Sequence, residues 1–319
     1  MSETLIRTIC IKLDVDGHEN FLAVTQHAFN DAATWISLTC WREGITNTNT
    51  AHHRVYGETR ERFGLGAQLA VCARAKALEA IKAVKTAGKN TCPVFGPRGS
   101  IRYDARTYRL MSLDRVSLNT LAGRVVCRLV PGPRQHEMLV DPAWTIGGAE
   151  LVWRRGVYYL HVTQSSDAPT LPKGNPERLG VDLGMVNIAT DSTGQQFSGK
   201  AVSTVRQRYL KRRAILQSVG TRSAKRRLQK ISKRESRFQK DQNHCISKTL
   251  VAKASQSCKA IALEDLTGIN ERTTVRHGQR YERMSWAFYQ LRLFLTYKAM
   301  AAGVRVVLVD PRNTSKTCS

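Results

Sequence analysis

Two separated apolar segments, each presenting a carboxylate at its heart or its end, constrain this chain more than any other feature. GVDLGMVNIATDSTG, residues 180–194, opens as a strand in which Val181 and Leu183 face one side and Asp182 the other. KAIALEDL, residues 259–266, is a short buried-type strand ending at Glu264. After residue 178 the pattern alternates between strands (179–184, 259–264, 304–309) and helices (201–257 with a break near Gly220, then 285–302). That order predicts an α/β layer with crossover connections, with NIAT and QQFSG returning around the DSTG turn as a meander. Ligands of open α/β sheets gather at the carboxyl ends of strands, so if the two acidic strands are neighbours, Asp182 and Glu264 converge.

Two nearby carboxylates repel each other, and a hard cation such as Mg²⁺, which takes oxygen ligands and keeps several waters, relieves that repulsion. A pair of such ions roughly 4 Å apart activates water and stabilises the leaving oxygen in phosphodiester cleavage. The plainer alternative stands beside it: Asp182 caps a turn, and Glu264 is a helix-start acid for the following LTGIN segment. GVDLGMVN also resembles the first phosphate loop of the actin and sugar-kinase ATPases. Those proteins need a later glycine-rich second loop, whereas the only Gly-Gly pair here, Gly147 and Gly148, precedes the motif.

Charge narrows the partner. Fifty Lys and Arg against 25 Asp and Glu leave a formal charge of +25, which favours a polyanion. Residues 201–240 hold fourteen Lys or Arg and one acid, Glu235, so this stretch carries about half of the excess. Arg206, Arg208, Lys211, Arg212, Arg213, Arg222, Lys225, Arg226, Arg227 and Lys230 are the candidate phosphate-binding residues. Val202, Val205 and Tyr209, then Leu228, Ile231 and Phe238, recur at helical spacing, which predicts a packed helical hairpin with a basic face. An ordinary solvated face mixes both signs. A membrane is the rival polyanion, yet no apolar run approaches the roughly 18 residues needed to span one. The opening MSETLIRTICIKLDV is interrupted by Arg7 and Lys12, so a soluble, unexported, cytoplasmic protein without a membrane partner is expected.

The eight cysteines, at 10, 40, 72, 92, 127, 245, 258 and 318, show no close C-x-x-C pair and no secreted disulfide spacing. Most read as small buried apolar residues of a reducing compartment. Ahead of residue 178, ICIKLDV alternates as a strand and residues 21–84 show helical spacing, broken by TNTNTAHH. Residues 91–178 then read as short antiparallel strands, with Pro131 and Pro133 as punctuation, joined with the first strand in one barrel. APTLPKGNPERL, 168–179, has three prolines and reads as a linker at the main boundary.

Together these segments resemble the TnpB family, the OrfB-type proteins of bacterial and archaeal insertion sequences and relatives of compact type V CRISPR effectors. GVDLGMVNIATDSTG resembles the first RuvC motif, with Asp182 its metal-binding carboxylate, and AIALEDLTGI the second, with Glu264. NHCISKTLV resembles the family's His-x-Ile-Ser-Lys helix at His244, Ile246, Ser247 and Lys248. SWAFYQLRLFLTYKAMAAGVRVVLVDPRNTSKTCS resembles the helix and strand leading to the third motif, including Trp286, Tyr297, Lys298, Gly303 and Thr314 to Cys318. YGETRERFGLGAQLA and SLNTLAGRV are looser matches to the recognition lobe and the wedge barrel.

The resemblance implies an α+β N-terminal half over residues 1–178, a β-barrel wedge domain with a helical recognition-lobe insertion over about 21–90. An α/β RNase H-like (RuvC) nuclease domain follows over 179–319. It implies a transposon-associated endonuclease, recorded as a transposase, in which a guide RNA from the transposon end directs Mg²⁺-dependent cutting of target double-stranded DNA. Base pairing would then set the sequence while the basic channel holds the heteroduplex backbone. The family's zinc ribbon uses four cysteines, of which only the first, Cys318, precedes Ser319, so Zn²⁺ binding is an expectation for a full-length form alone. The third catalytic aspartate normally follows that ribbon, and Asp310, which ends the preceding strand, is not its equivalent. The chain as given is therefore expected to be incomplete and inactive by itself, with a nuclease-dead RNA-guided DNA binder or a decayed transposase fragment as alternatives. His244 is expected to be structural or RNA-facing, and Trp286, Phe288 and Leu291 to be core.

Overall fold

The computed structural model describes residues 4–15, 17–171, 177–184, 186–265 and 288–310, which gather into two compact units divided between Ser166 and Asp167. In the N-terminal unit, strand β1 (Thr4–Asp14) leads into three helices, α1 (Glu19–Arg42), α2 (Thr48–Phe63) and α3 (Ala67–Thr86). Leu22, Gln26, Phe29, Ala33, Ile36 and Cys40 recur every three to four residues along α1 and are buried. Helix α2 starts where the Asn47 side chain accepts from the amides of Asn49 (2.8 Å) and Thr50 (3.2 Å), and stops at Gly64, whose φ of 64° few other residues tolerate.

Strands β2 (Ile101–Tyr103), β3 (Tyr108–Leu110), β4 (Arg115–Thr120), β5 (Gly123–Val130), β6 (Thr145–Arg154) and β7 (Val157–Asp167) join β1 in a seven-stranded sheet ordered β2-β6-β7-β1-β5-β4-β3. Its two edge strands, β2 and β3, are consecutive in the chain and linked by a turn in which Asp104 accepts from the amides of Arg106 and Thr107, each at 3.1 Å. So short a link forces the edges together, and the sheet curls nearly closed. Two tyrosines cross the seam: Tyr103 donates to the Asn119 carbonyl (3.1 Å) and Tyr108 to the Gly147 carbonyl (2.5 Å). Residues 133–140 depart from the all-strand expectation for this region. They form a short helix, α4 (Pro133–Val140), with Pro133 in the first turn, where its missing N–H costs nothing, and Gln135 accepting from the Gly132 amide (2.6 Å). Arg7 of β1 holds it by donating to the Met138 carbonyl (2.8 Å).

The C-terminal unit carries a five-stranded sheet ordered β10-β9-β8-β11-β12, from β8 (Arg178–Asp182), β9 (Asn187–Asp191), β10 (Gln196–Ser198), β11 (Ala260–Glu264) and β12 (Val306–Val309). The first three form an antiparallel meander, whereas β11 runs parallel to both β8 and β12. Helices α5 (Lys200–Val219), α6 (Arg222–Ile231) and α7 (Arg234–Gln256) lie between β10 and β11, and α8 (Phe288–Ala301) precedes β12. Leu179, Val181 and Leu183 pack with Ile246 and Leu250 of α7 and Leu291 and Leu295 of α8, which fixes the face that β8 turns to the core. The expected break at Gly220 is present, with φ of 64° and Thr221 capping Ala224, but a second one falls at Lys233, a non-glycine with φ of 63°. The basic segment is thus three helices where one break predicts two.

Candidate functional site

Alternation along β8 buries Leu179 and Val181 and leaves Asp182 exposed on the opposite face. Strand β11 aligns beside it with Ala262 opposite Gly180 and Leu263 opposite Val181, so the next step of the register brings Glu264 level with Asp182 at the carboxyl ends of two parallel strands. The two carboxylates predicted to converge are therefore on adjacent strands, in one row. Both line an open cleft of about 370 Å³, together with Gly180, Thr190, Asp191, Ser192 and Val309. The acid after Glu264 has a different place: Asp265 accepts from Arg292 of α8 at 2.7 Å, while its amide donates to the Val309 carbonyl at 2.8 Å. Register pairs Glu264 with Val309, so Asp310 falls one residue past the row.

Asp191, which sequence reasoning treated only as part of a turn, also borders the cleft. Its carboxylate is buried and accepts from the amides of Thr193 and Gln195 (3.0 Å each), from the Thr193 hydroxyl (2.7 Å) and from the Lys253 ammonium of α7. Burial alone would push this acid up; Lys253 and the surrounding donors outweigh it and hold the carboxyl at about 2. The signal for it was local, an Asp-Ser-Thr-Gly run whose first residue bonds its own backbone two residues on. Its partner on α7 lies too far along the chain to be read.

The donor set suits a hard oxygen-seeking cation, since Asp182 and Glu264 are the two acids that the strand ends present side by side. Among the described residues no group of three or more His, Cys, Asp or Glu side chains is spaced to hold a metal ion. Cys318 lies outside the described residues, as do Trp286 and Thr314. Of the other cysteines, Cys40, Cys72 and Cys127 are buried, while Cys10, Cys245 and Cys258 are exposed, against the expectation that most would be core.

The ten basic candidates divide. Arg208, Lys211, Arg212, Arg222, Lys225, Arg226, Arg227 and Lys230 are exposed along α5 and α6. Arg206 and Arg213 instead turn to Glu235 of α7, at 3.9 Å and 2.7 Å, so the one acid of the segment ties α5 to α7. Val202 and Ile231 are buried as the helical spacing predicts, and Val205, Tyr209, Leu228 and Phe238 are half-buried. His244 stacks on Phe294, ring centroids 3.9 Å apart and planes within 12°, and its backbone carbonyl accepts from Lys298 at 2.7 Å. Burial, then the nearby charges of Lys298 and Lys240, lower its pKa, so the neutral ring is a packing element between α7 and α8. Ser247 also accepts from Lys298 (2.7 Å), which gives the NHCISK run a helix-joining role. Phe288 and Leu291 are core, as expected.

The family model OrfB_IS605, described as a probable transposase, matches residues 160–270, a span that contains both carboxylates and the whole basic segment. Over that span, about a third of its length, the chain resembles this family. A second model, the Cas12f1-like TNB domain, matches residues 288–319. Among similar proteins, the CRISPR-associated endodeoxyribonuclease Cas12f1 of Sulfoacidibacillus thermotolerans is 26% identical over 183 residues, 52% of this chain and 42% of that protein. A TnpB-like protein of Methanocaldococcus jannaschii is 38% identical over 92 residues, 28% of this chain and 33% of the relative. The chain thus spans between about a third and two-fifths of the curated relatives it matches. Its fold is similar to that of Cas12f1 in a cryo-EM complex with sgRNA and target DNA, with a TM-score of 0.64 at 13% identity, over 93% of this chain and 75% of that one. Among the described residues no helix is long and apolar enough to cross a membrane.

Proposed function

We propose that this chain is an OrfB-type protein, the core of a transposon-associated, RNA-guided DNA endonuclease. In this reading the C-terminal unit is a RuvC-like, RNase H-like nuclease domain. The N-terminal unit is then a wedge barrel with α1–α3 as a helical recognition insertion. The observation that carries it is the in-register placement of Asp182 and Glu264 at the ends of adjacent parallel strands, in a chain whose excess positive charge is concentrated on the intervening helices. Asp182 and Glu264 would hold Mg²⁺, which when bound supplies activation of water and stabilisation of the departing oxygen. The exposed bases of α5 and α6 would follow the phosphates of a guide RNA paired with its target strand, and base pairing would supply the sequence. The guide would come from the transposon end, the target would be double-stranded DNA, and Cys318 would be a zinc ligand.

The test is Asp182→Ala, assayed for Mg²⁺-dependent cleavage of a guide-matched DNA, beside RNA binding. Loss of about 10³-fold or more in cleavage with guide affinity unchanged is expected, because only the chemical step needs the carboxylate. Cleavage that survives the substitution would remove Asp182 from the site.

A further inference from the structure

We infer that Lys253 and Asp191 are positioning residues that, through the Ser192 turn, set where the Asp182 carboxylate stands. This rests on the reading of Asp182 as a working carboxylate. Strand β8 is short, and Asp182 is its last residue, so its backbone needs support beyond the sheet ladder. The support comes from β9 and the turn after it. Val181 pairs with Asp191 and Asp182 with Thr190. Ser192 then clasps Gly180 twice: its amide donates to the Gly180 carbonyl (2.8 Å), and the Gly180 amide donates to its hydroxyl (3.2 Å).

Ser192 can hold that place only while its turn is rigid. The Asp191 carboxylate caps the turn from within through Thr193 and Gln195, the Gly194 amide donates to the Asp191 carbonyl (2.9 Å), and Gly194 itself has φ of 88°. Lys253 seals it from outside. Its ammonium donates to Asp191, to the Thr193 hydroxyl and to the Gln195 side chain (3.1 Å). An ammonium has three N–H donors, and here three acceptors take them. Lys253 therefore has no donor left for a phosphate or a proton transfer, and its contribution runs through the turn. A chain of contacts thus leads from α7 through the Asp191–Gly194 turn to Gly180, two residues from Asp182. Beyond Asp182 the path is equally narrow, because a Cβ on Gly184 would lie 2.8 Å from the Asn187 carbonyl oxygen.

The experiment compares the full chain with its Lys253→Met and Lys253→Arg variants by amide hydrogen exchange, with Mn²⁺ binding read by water-proton relaxation. Lys253→Met is expected to speed exchange across residues 178–182 by about tenfold while leaving β12, two strands away, unchanged, because local opening tracks local contacts. Mn²⁺ affinity should fall several-fold in that variant. Lys253→Arg, which keeps a cation with several donors, should restore most of both. Equal exchange over 178–182 in wild type and Lys253→Met, or equal acceleration in β12, overturns the assignment. Wild-type chain that binds no Mn²⁺ would count against the metal reading of Asp182, and the exchange comparison would still decide whether the turn governs β8.

Discussion

Acid should dissolve the Asp191 clamp over a defined window, and its size follows from the structure. The carboxyl is depressed from 3.8 to about 2, so the folded state binds its proton less readily than the unfolded state does. The sign follows: stability from this group is complete above the unfolded value, and is lost as pH falls through the folded one. At 1.36 kcal/mol per unit, the depression is worth at most about 2 kcal/mol at neutral pH, the Asp191 side chain being shielded from solvent while its Lys253 partner is part-exposed. The perturbation is Asp191→Asn, which keeps the shape and one acceptor but leaves Lys253 facing a neutral group. Urea denaturation of the full chain, followed by exchange of peptides covering residues 178–198, isolates the C-terminal unit from the other. The variant should be less stable by up to about 2 kcal/mol at pH 7, and the gap should narrow as pH falls from about 4 to about 2. A gap that is constant across that window would refute the argument, since the loss would then come from packing and not from the charge.

Two further outcomes are expected. Replacing Arg226 and Arg227 together with alanine should reduce the salt dependence of RNA binding, lowering the slope of log K against log salt by roughly 2, without a change in sequence preference, in filter-binding or anisotropy titrations. Gly99→Ala should destabilise the N-terminal unit by about 1–3 kcal/mol in urea titrations, because the added Cβ would lie 2.5 Å from the Asn30 side-chain oxygen. That side chain cannot easily withdraw, since it accepts from the Lys76 ammonium at 2.8 Å and its amide donates to the Gly99 carbonyl at 2.9 Å.

What could be read from the residues was whatever has a short period. Val181 and Leu183 around Asp182, and the apolar run before Glu264, announced two strands and the face on which the first acid stands. The helical character of residues 21–84 and the break at Gly220 were equally local, although TNTNTAHH, which reads as an interruption, falls mostly within α2. The place of β1 between β7 and β5 was not legible, because it depends on pairing with residues more than a hundred positions on, such as Lys12 with Val130. Nor was α4, whose prolines look like strand punctuation until one of them is placed at a helix start. The basic segment was legible as charge and not as structure: Glu235, a single acid among fourteen bases, holds two of the guanidiniums counted as phosphate ligands. Lys233 enters the left-handed region with no glycine to announce it.

The two acids in register across the cleft, Asp182 and Glu264, are held by different means. Glu264 is placed by its register between β8 and β12, and by the next residue, where the Asp265–Arg292 pair ties the strand end to α8. Asp182 is placed by a hairpin turn whose lock, Lys253, comes from α7. A disturbance on α7 should therefore displace one carboxylate and leave the other, whereas a disturbance at Arg292 should do the reverse. In the proposed reading, where the two acids share one cation and both must be in place, either helix would weaken the pair without touching it, which would make the helices behind the sheet as much a part of the site as the strands that carry the acids.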